Sequence, residues 1–475
     1  MTSTERSSEV DSTISVANLA GTHRARRVVV AWFALPLFGA VWAIRRLRHS
    51  YFFYDEWSMI DRVVHLPLWT GMTASFNGHL WLFQDLFYRI QVSWFGVNNH
   101  VFVSAVFVLS LVALHIAMAA VLERAGVPPV MSLCTGGLLT YLGAASQNFI
   151  FAIQASPCLA LATGLAAAAL ALARPPTIAR SIVAAAMMVL SVAFDSGIAL
   201  TTITFATAVL ALSWRGRYAL AVLPSLIAMS WWYLTGDLGP VDDASLAIKA
   251  RFAGHLLLHS LGALFGQGEG LGVVVAVLAT ATLGIGLARG WVAGAARTTL
   301  IAGALSTVVT TSAIAHARAT TVGANFIDFN RYLQNVLIPF ALSALPAVYS
   351  IVRSAPAGWR ERHPAMRGAL GPLVVAAAFL LGLSPLRAYI KNFEAWNVAV
   401  RDGVRDAAAV ITDGCPSGAP PDPRGQPMGG LSPQISTELL RELVRRGALR
   451  AGDGAPIDQA VVDRMCSENL AIDAG

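Results

Sequence analysis

Asp55 and Glu56 stand side by side in Tyr51-Phe52-Phe53-Tyr54-Asp55-Glu56-Trp57, two carboxylates framed by aromatic residues. Such a pair can accept a proton, hold a cation or mark a helix start. Aromatic surroundings strip water from a carboxylate and make it a better base, unless a cation stands beside it. A base of that kind suits the deprotonation of a hydroxyl. Asp is also a preferred N-cap, so Asp55 can simply open a helix that begins near Glu56. Adjacent residues face different ways on a helix, so one acid can point into a cavity while the other does not. Further candidates, for substrate binding, are His79, Gln154, Asp195, Arg251, Glu269, Arg318, Asn330 and Arg331. Ionisable and amide side chains are costly at membrane depth and are functional candidates for that reason.

Each candidate has a plainer reading beside the functional one. Asp195 lies in Phe194-Asp195-Ser196-Gly197, where turn chemistry alone accounts for it. Gln147 and Gln154 flank a short aromatic stretch; amides there suit sugar hydroxyls or an interfacial turn. Arg331 can grip a phosphate through two parallel hydrogen bonds or merely snorkel to the interface. Arg251 and Arg318 are weaker versions of the same case. His79 follows the turn signal Asn77-Gly78, and a lone His there is more often structural than a ligand. Glu269 falls in a Gly-rich stretch that reads as a flexible loop. There is no HExxH, GxSxG, Walker loop or dinucleotide-binding fingerprint.

The elements that must position these residues are membrane helices. Of 475 residues 56% are hydrophobic and only 13% charged, against about 25% charged in a soluble domain. The net charge of +7 comes almost wholly from Arg. The positive-inside rule explains that excess, and no nucleic-acid partner is needed. A span takes about 20 apolar residues. Apolar runs near residues 28–44, 99–122, 128–145, 157–173, 179–195, 197–213, 218–235, 271–288, 298–315, 335–352 and 369–387 give an all-α polytopic membrane protein with about 11 transmembrane helices. Residues 252–265 read as an interfacial helix.

Arginines recur at Arg124, Arg174, Arg180, Arg215, Arg217, Arg289, Arg297 and Arg353, in alternate loops. That places the N-terminus in the cytoplasm and the C-terminus outside, in the plasma membrane. Arg45, Arg46 and Arg48 run against the pattern. The chain then divides into a cytoplasmic tail (1–27), a membrane domain (28–388) and an extracytoplasmic C-terminal region (389–475). The first outer loop, 45–98, carries amphipathic stretches near 57–67 and 80–91 that fit helices lying on the bilayer. On this topology the candidate residues all fall on the outer side, as if lining a polar cavity open there. Cys415 and Cys466 lie in the polar C-terminal region, where a disulfide can form if that region is outside the cell.

This pattern resembles the GT-C class of integral membrane glycosyltransferases. The local match is Tyr54-Asp55-Glu56-Trp57 in the first outer loop. The rest is architecture over residues 28–388: juxtamembrane helices, many spans, a one-sided outer cavity and a small C-terminal region. The resemblance implies a polyprenyl-phosphate sugar as donor, a cell-envelope glycan or lipid as acceptor, and transfer at the outer face with inversion. It implies Asp55 as general base, with Glu56 its neighbour, and Arg331 against the donor phosphate. Some members use a divalent metal held by several acids. Asp55, Glu56, Asp195 and Glu269 are available, but no spacing demands a metal, and no other cofactor is implied. The composition is also similar to that of actinobacterial cell-envelope enzymes, whose usual donors are arabinose or mannose on decaprenyl phosphate. A lipid-linked sugar flippase and a polysaccharide polymerase or ligase are the competing readings. A flippase needs polar groups along its whole path, whereas here they stop on one side.

Overall fold

The computed structural model describes residues 30–466, apart from residues 31, 49, 146, 174, 215–218, 238–241, 267, 324–330, 355–369, 419, 424 and 452–455. Among these residues every regular element is helical, and extended pairing is confined to one bridge between Phe76 and His79. A first helix, α1 (residues 32–47), leads into the loop that carries the acidic pair. That loop folds as α2 (Asp55–His65), α3 (Leu68–Thr73) and α4 (Leu82–Ile90). α3 lies between the two helices expected there and was not foreseen by the sequence pattern.

The bundle follows: α5 (Val101–Arg124), α6 (Pro129–Thr140), α7 (Ala155–Ala173), α8 (Ile178–Phe194), α9 (Ser196–Trp214), α10 (Ala219–Thr235), α11 (Leu246–Ala263), α12 (Glu269–Ala288), α13 (Gly294–Val322) and α14 (Arg331–Ser354). Six helices are long and apolar enough to cross a bilayer: α5, the stretch Ala152–Ala173 that contains α7, α9, α12, α13 and α14. They mark the chain as a membrane protein. Three more expected spans coincide with shorter apolar helices, at Pro129–Thr140, Ile178–Phe194 and Leu220–Thr235. The apolar run beyond Thr140 does not extend α6, because the chain turns there into a 3-10 segment at Gly143–Ala145. Residues 252–265, read as interfacial, fall largely within α11, which begins earlier at Leu246.

Apolar helices in lipid gain little from hydrophobic burial against each other, so close contact and hydrogen bonds must hold them. α7 and α9 meet at Gly164, where an added Cβ would lie 2.4 Å from Thr202 Cβ. The Ser191 hydroxyl donates to the Ala160 carbonyl at 2.8 Å and lies 3.0 Å from Thr202 Oγ1. On the other side of α9, Ser306 Oγ donates to the Thr201 carbonyl and Thr310 Oγ1 to Thr201 Oγ1, both at 2.8 Å.

α15 (Leu370–Asp413) is 44 residues long. It passes without interruption through residue 388, where the change in composition suggested a boundary. Its C-terminal half buries Val400, Val404, Ala407 and Ala408, and α16 (Thr437–Arg445) packs there through Leu439, Leu440 and Leu443. Ser436 caps α16 by accepting from Leu439 N at 3.1 Å. Cys415 and Cys466, the latter ending α17 (Gln459–Cys466), are joined by a disulfide spanning 51 residues of sequence. A loop of that length predicts about 4 kcal/mol of stabilisation. Cys415→Ser is therefore expected to lower the thermal transition of the C-terminal region, as reductant should in the unsubstituted protein. Transitions that match with and without reductant would show that the region does not rely on the bridge.

The C-terminal region docks on the first loop. Val97 N donates to the Ala448 carbonyl at 2.7 Å, and Asn98 exchanges two hydrogen bonds with the Arg450 backbone. Arg446 Nη2 donates to the Val64 carbonyl at 2.7 Å. Gly96 makes this approach possible: its φ is +67°, and a Cβ there would lie 2.5 Å from the Ala448 oxygen.

Candidate active site

Tyr51–Trp57 is enclosed at both ends and partly exposed in the middle. Phe52 and Trp57 are fully buried, and the Trp57 indole N–H donates to the Phe52 carbonyl. Tyr51 N donates to Asn397 Oδ1 on α15 at 3.0 Å, and its hydroxyl donates to the Val97 carbonyl at 2.8 Å. Burial pushes the Tyr51 phenol well above its ordinary range, so it serves as a donor.

The two acids part company at the first turn of α2. Glu56 is 1% exposed. One carboxylate oxygen accepts from the Tyr88 hydroxyl and lies 2.9 Å from His100 Nε2; the other accepts from Phe53 N at 2.8 Å. Burial, and then the Glu56 charge, hold the Tyr88 phenol far above its usual range. His100 is steadied in turn by Ser104, 2.9 Å from its Nδ1. Glu56 is thus sealed and occupied, so it positions the loop and presents no free oxygen to a substrate.

Asp55 points the other way. Its side chain is 35% exposed, and Oδ2 lies 3.8 Å from Arg331 Nη1. Arg331 is the first residue of α14 and is held by its backbone. Its N–H donates to Gln147 Oε1, and its carbonyl accepts from Asn148 Nδ2 at 2.8 Å. The wall beside Asp55 is aromatic. Phe53 stacks on Phe151 at 4.2 Å, and Tyr54 stacks on Trp396 of α15 at 5.6 Å. A half-exposed carboxylate and a half-exposed guanidinium therefore share one aromatic-walled surface.

The other candidates form separate groups. His79 Nδ1 lies 3.0 Å from Asp195 Oδ1. Arg251, His255 and Glu269 join α11 to α12, with His255 Nδ1 2.9 Å from Glu269 Oε2 and Arg251 Nε 3.4 Å from His255 Nε2. Arg318 is partly buried near the end of α13 and makes no ion pair among the described residues. Gln154 is buried at the entry to α7. Asn330 lies outside the described residues. Among the described residues no group of three or more His, Cys, Asp or Glu is placed to hold a metal ion.

Sequence reasoning overlooked His100, Tyr88, Asn397 and Trp396. It also missed the role of Asp85, which sits between Arg62 and Arg89 and ties α2 to α4. Burial pushes the Asp85 carboxyl up and the Arg62 guanidinium down, while their opposite charges resist both shifts. Arg62 also donates to the carbonyls of Gly71, Ala74 and Ser75, closing the end of α3. Comparison of the chain with protein-family models, with curated proteins and with solved structures finds no match.

Proposed function

We propose that the protein is a membrane glycosyltransferase of GT-C type, with about eleven spans and its active surface on the outer side of the plasma membrane. The reading rests chiefly on the pairing of Asp55 with Arg331 at 3.8 Å on an aromatic-walled surface. A partly exposed carboxylate and a partly exposed guanidinium supply the two groups that transfer from a lipid phosphate requires. The donor is a polyprenyl-phosphate sugar and the acceptor a hydroxyl of a cell-envelope glycan or lipid. Asp55 takes the hydroxyl proton as the oxygen attacks the anomeric carbon. The bond from that carbon to the phosphate oxygen breaks, and its electron pair leaves with the phosphate, whose charge Arg331 meets. Attack opposite the leaving phosphate inverts the anomeric centre.

The pair also orders these events. With no donor bound, Arg331 faces Asp55 across 3.8 Å; a donor phosphate that engages the guanidinium leaves the carboxylate to the acceptor hydroxyl. The test is transfer from radiolabelled polyprenyl-phosphate sugars in membranes containing the protein. Arg331→Ala is expected to lower transfer on the order of 10²-fold, the usual cost of one lost donor to a developing anion. Arg331→Lys is expected to restore part of it, because a point charge replaces the two-pronged contact. Equal transfer by the wild type and Arg331→Ala would remove the donor-phosphate assignment.

A further inference from the structure

His79 and Asp195 form a unit that helix capping does not explain. Asp195 is almost wholly buried, and its Oδ1 accepts from Gly197 N at 2.9 Å and Ile198 N at 3.1 Å, which already caps α9. The imidazole is an addition to that cap, and it is held from several directions. Asn77 and Gly78, with φ of 51° and 84°, turn the chain so that Phe76 and His79 bridge. Leu80 N donates to Ser196 Oγ at 2.9 Å, and Ser196 N donates back to the Leu80 carbonyl. Gly197 makes room for the ring, since a Cβ there would lie 2.2 Å from both Cε1 and Nδ1 of His79.

Asp195 is an acceptor, so Nδ1 carries a hydrogen, and in the neutral ring Nε2 is the acceptor. The side chain is 30% exposed, and Nε2 has no partner among the described residues. Beside it, with ring centroids 6.0 Å apart, lies Trp81. The Trp81 indole N–H is buried and has no hydrogen-bond partner among the described residues, an arrangement native proteins rarely leave unexplained. An open acceptor and an unpaired donor on neighbouring rings match a group that donates and accepts at once. A hydroxyl does that, and a sugar presents several.

We infer that His79 and Trp81 form a hydroxyl-binding subsite for a neutral sugar, with Asp195 as the residue that fixes the imidazole tautomer. It rests on the glycosyl-transfer reading only in naming that sugar the acceptor. The subsite and Asp55 both belong to the first loop.

The experiment is carbethoxylation of the full-length protein in detergent with diethyl pyrocarbonate, read residue by residue by peptide mass spectrometry. The reagent acylates an unprotonated imidazole nitrogen. Methyl mannoside, methyl arabinoside and sucrose are the probes, with inorganic phosphate as the control. His79 is expected to label readily, and at least threefold more slowly when one of the sugars is present, with no protection by phosphate. The oxygen that caps α9 is the one that faces Nδ1, so Asp195→Ala removes the group that holds the ring and is expected to raise the sugar concentration for half-protection about tenfold. Trp81→Phe is expected to leave labelling intact and to raise the sugar concentration for half-protection about tenfold. The subsite is overturned if His79 labels no faster than the buried His115, if sugar protects His79 equally well in Asp195→Ala and the wild type, or if none of the sugars protects. Labelling needs no donor lipid, so a negative transfer assay bears on the proposed function and leaves this result standing.

Discussion

Asp55→Asn is expected to lower sugar transfer by roughly 10²–10⁴-fold, the range that a positioned general base contributes. The substitution keeps size and shape, and an amide oxygen still faces Arg331. Asp55 is 35% exposed and its ion pair with Arg331 is long at 3.8 Å, so the thermal transition should move little. The loss should appear in kcat with lipid-donor binding largely retained, because the proton is taken only as the new bond forms. Wild-type turnover in Asp55→Asn would mean that another group accepts the proton.

Glu56→Ala is expected to do the opposite: little that is specific to turnover, and a large loss of stability. It strands the Tyr88 hydroxyl, His100 and Phe53 N at once, all of them buried or partly buried. Each unpaired buried group costs about 1–3 kcal/mol, so the total is expected at about 3–5 kcal/mol, as for other broken buried networks. That is a large part of the roughly 5–15 kcal/mol by which a domain is ordinarily stable. Glu56→Gln keeps an acceptor oxygen but turns an N–H₂ toward donors, and should lose about half as much. Thermal unfolding in detergent, followed by tryptophan fluorescence, measures both. A Glu56→Ala protein that melts with the wild type but transfers no sugar would make Glu56 a catalytic residue after all.

Apolar length was legible in the sequence because lipid demands it. The six helices long enough to cross a bilayer coincide with runs that hydropathy alone picks out. The division of labour between Asp55 and Glu56 was not legible. It depends on Tyr88 and His100, which stand 32 and 44 residues from Glu56, and on how α4 lies against α2. No local pattern encodes that crossing. Arg331 could be singled out by its charge, but its nearness to Asp55 depends on the amides of Gln147 and Asn148, 184 and 183 residues away in sequence. The polarity shift near residue 388 falls inside a single helix, α15. Composition records what surrounds a helix and says nothing of where its backbone hydrogen bonds stop.

The unbroken run of α15 sets a limit on how the chain can be divided. A truncated chain ending at 388 would cut a helix in mid-course and remove Phe393, Trp396 and Asn397. With them would go the ring that stacks on Tyr54 and the acceptor for Tyr51 N. The complementary fragment, starting at 389, would keep its disulfide but leave the Ala448 carbonyl and the Arg446 guanidinium without Val97 and Val64, their partners on the first loop. Neither half carries a finished surface. Soluble expression of the C-terminal region alone would therefore yield a piece whose binding properties belong to the cut, and epitope or ligand mapping is better done on the intact chain.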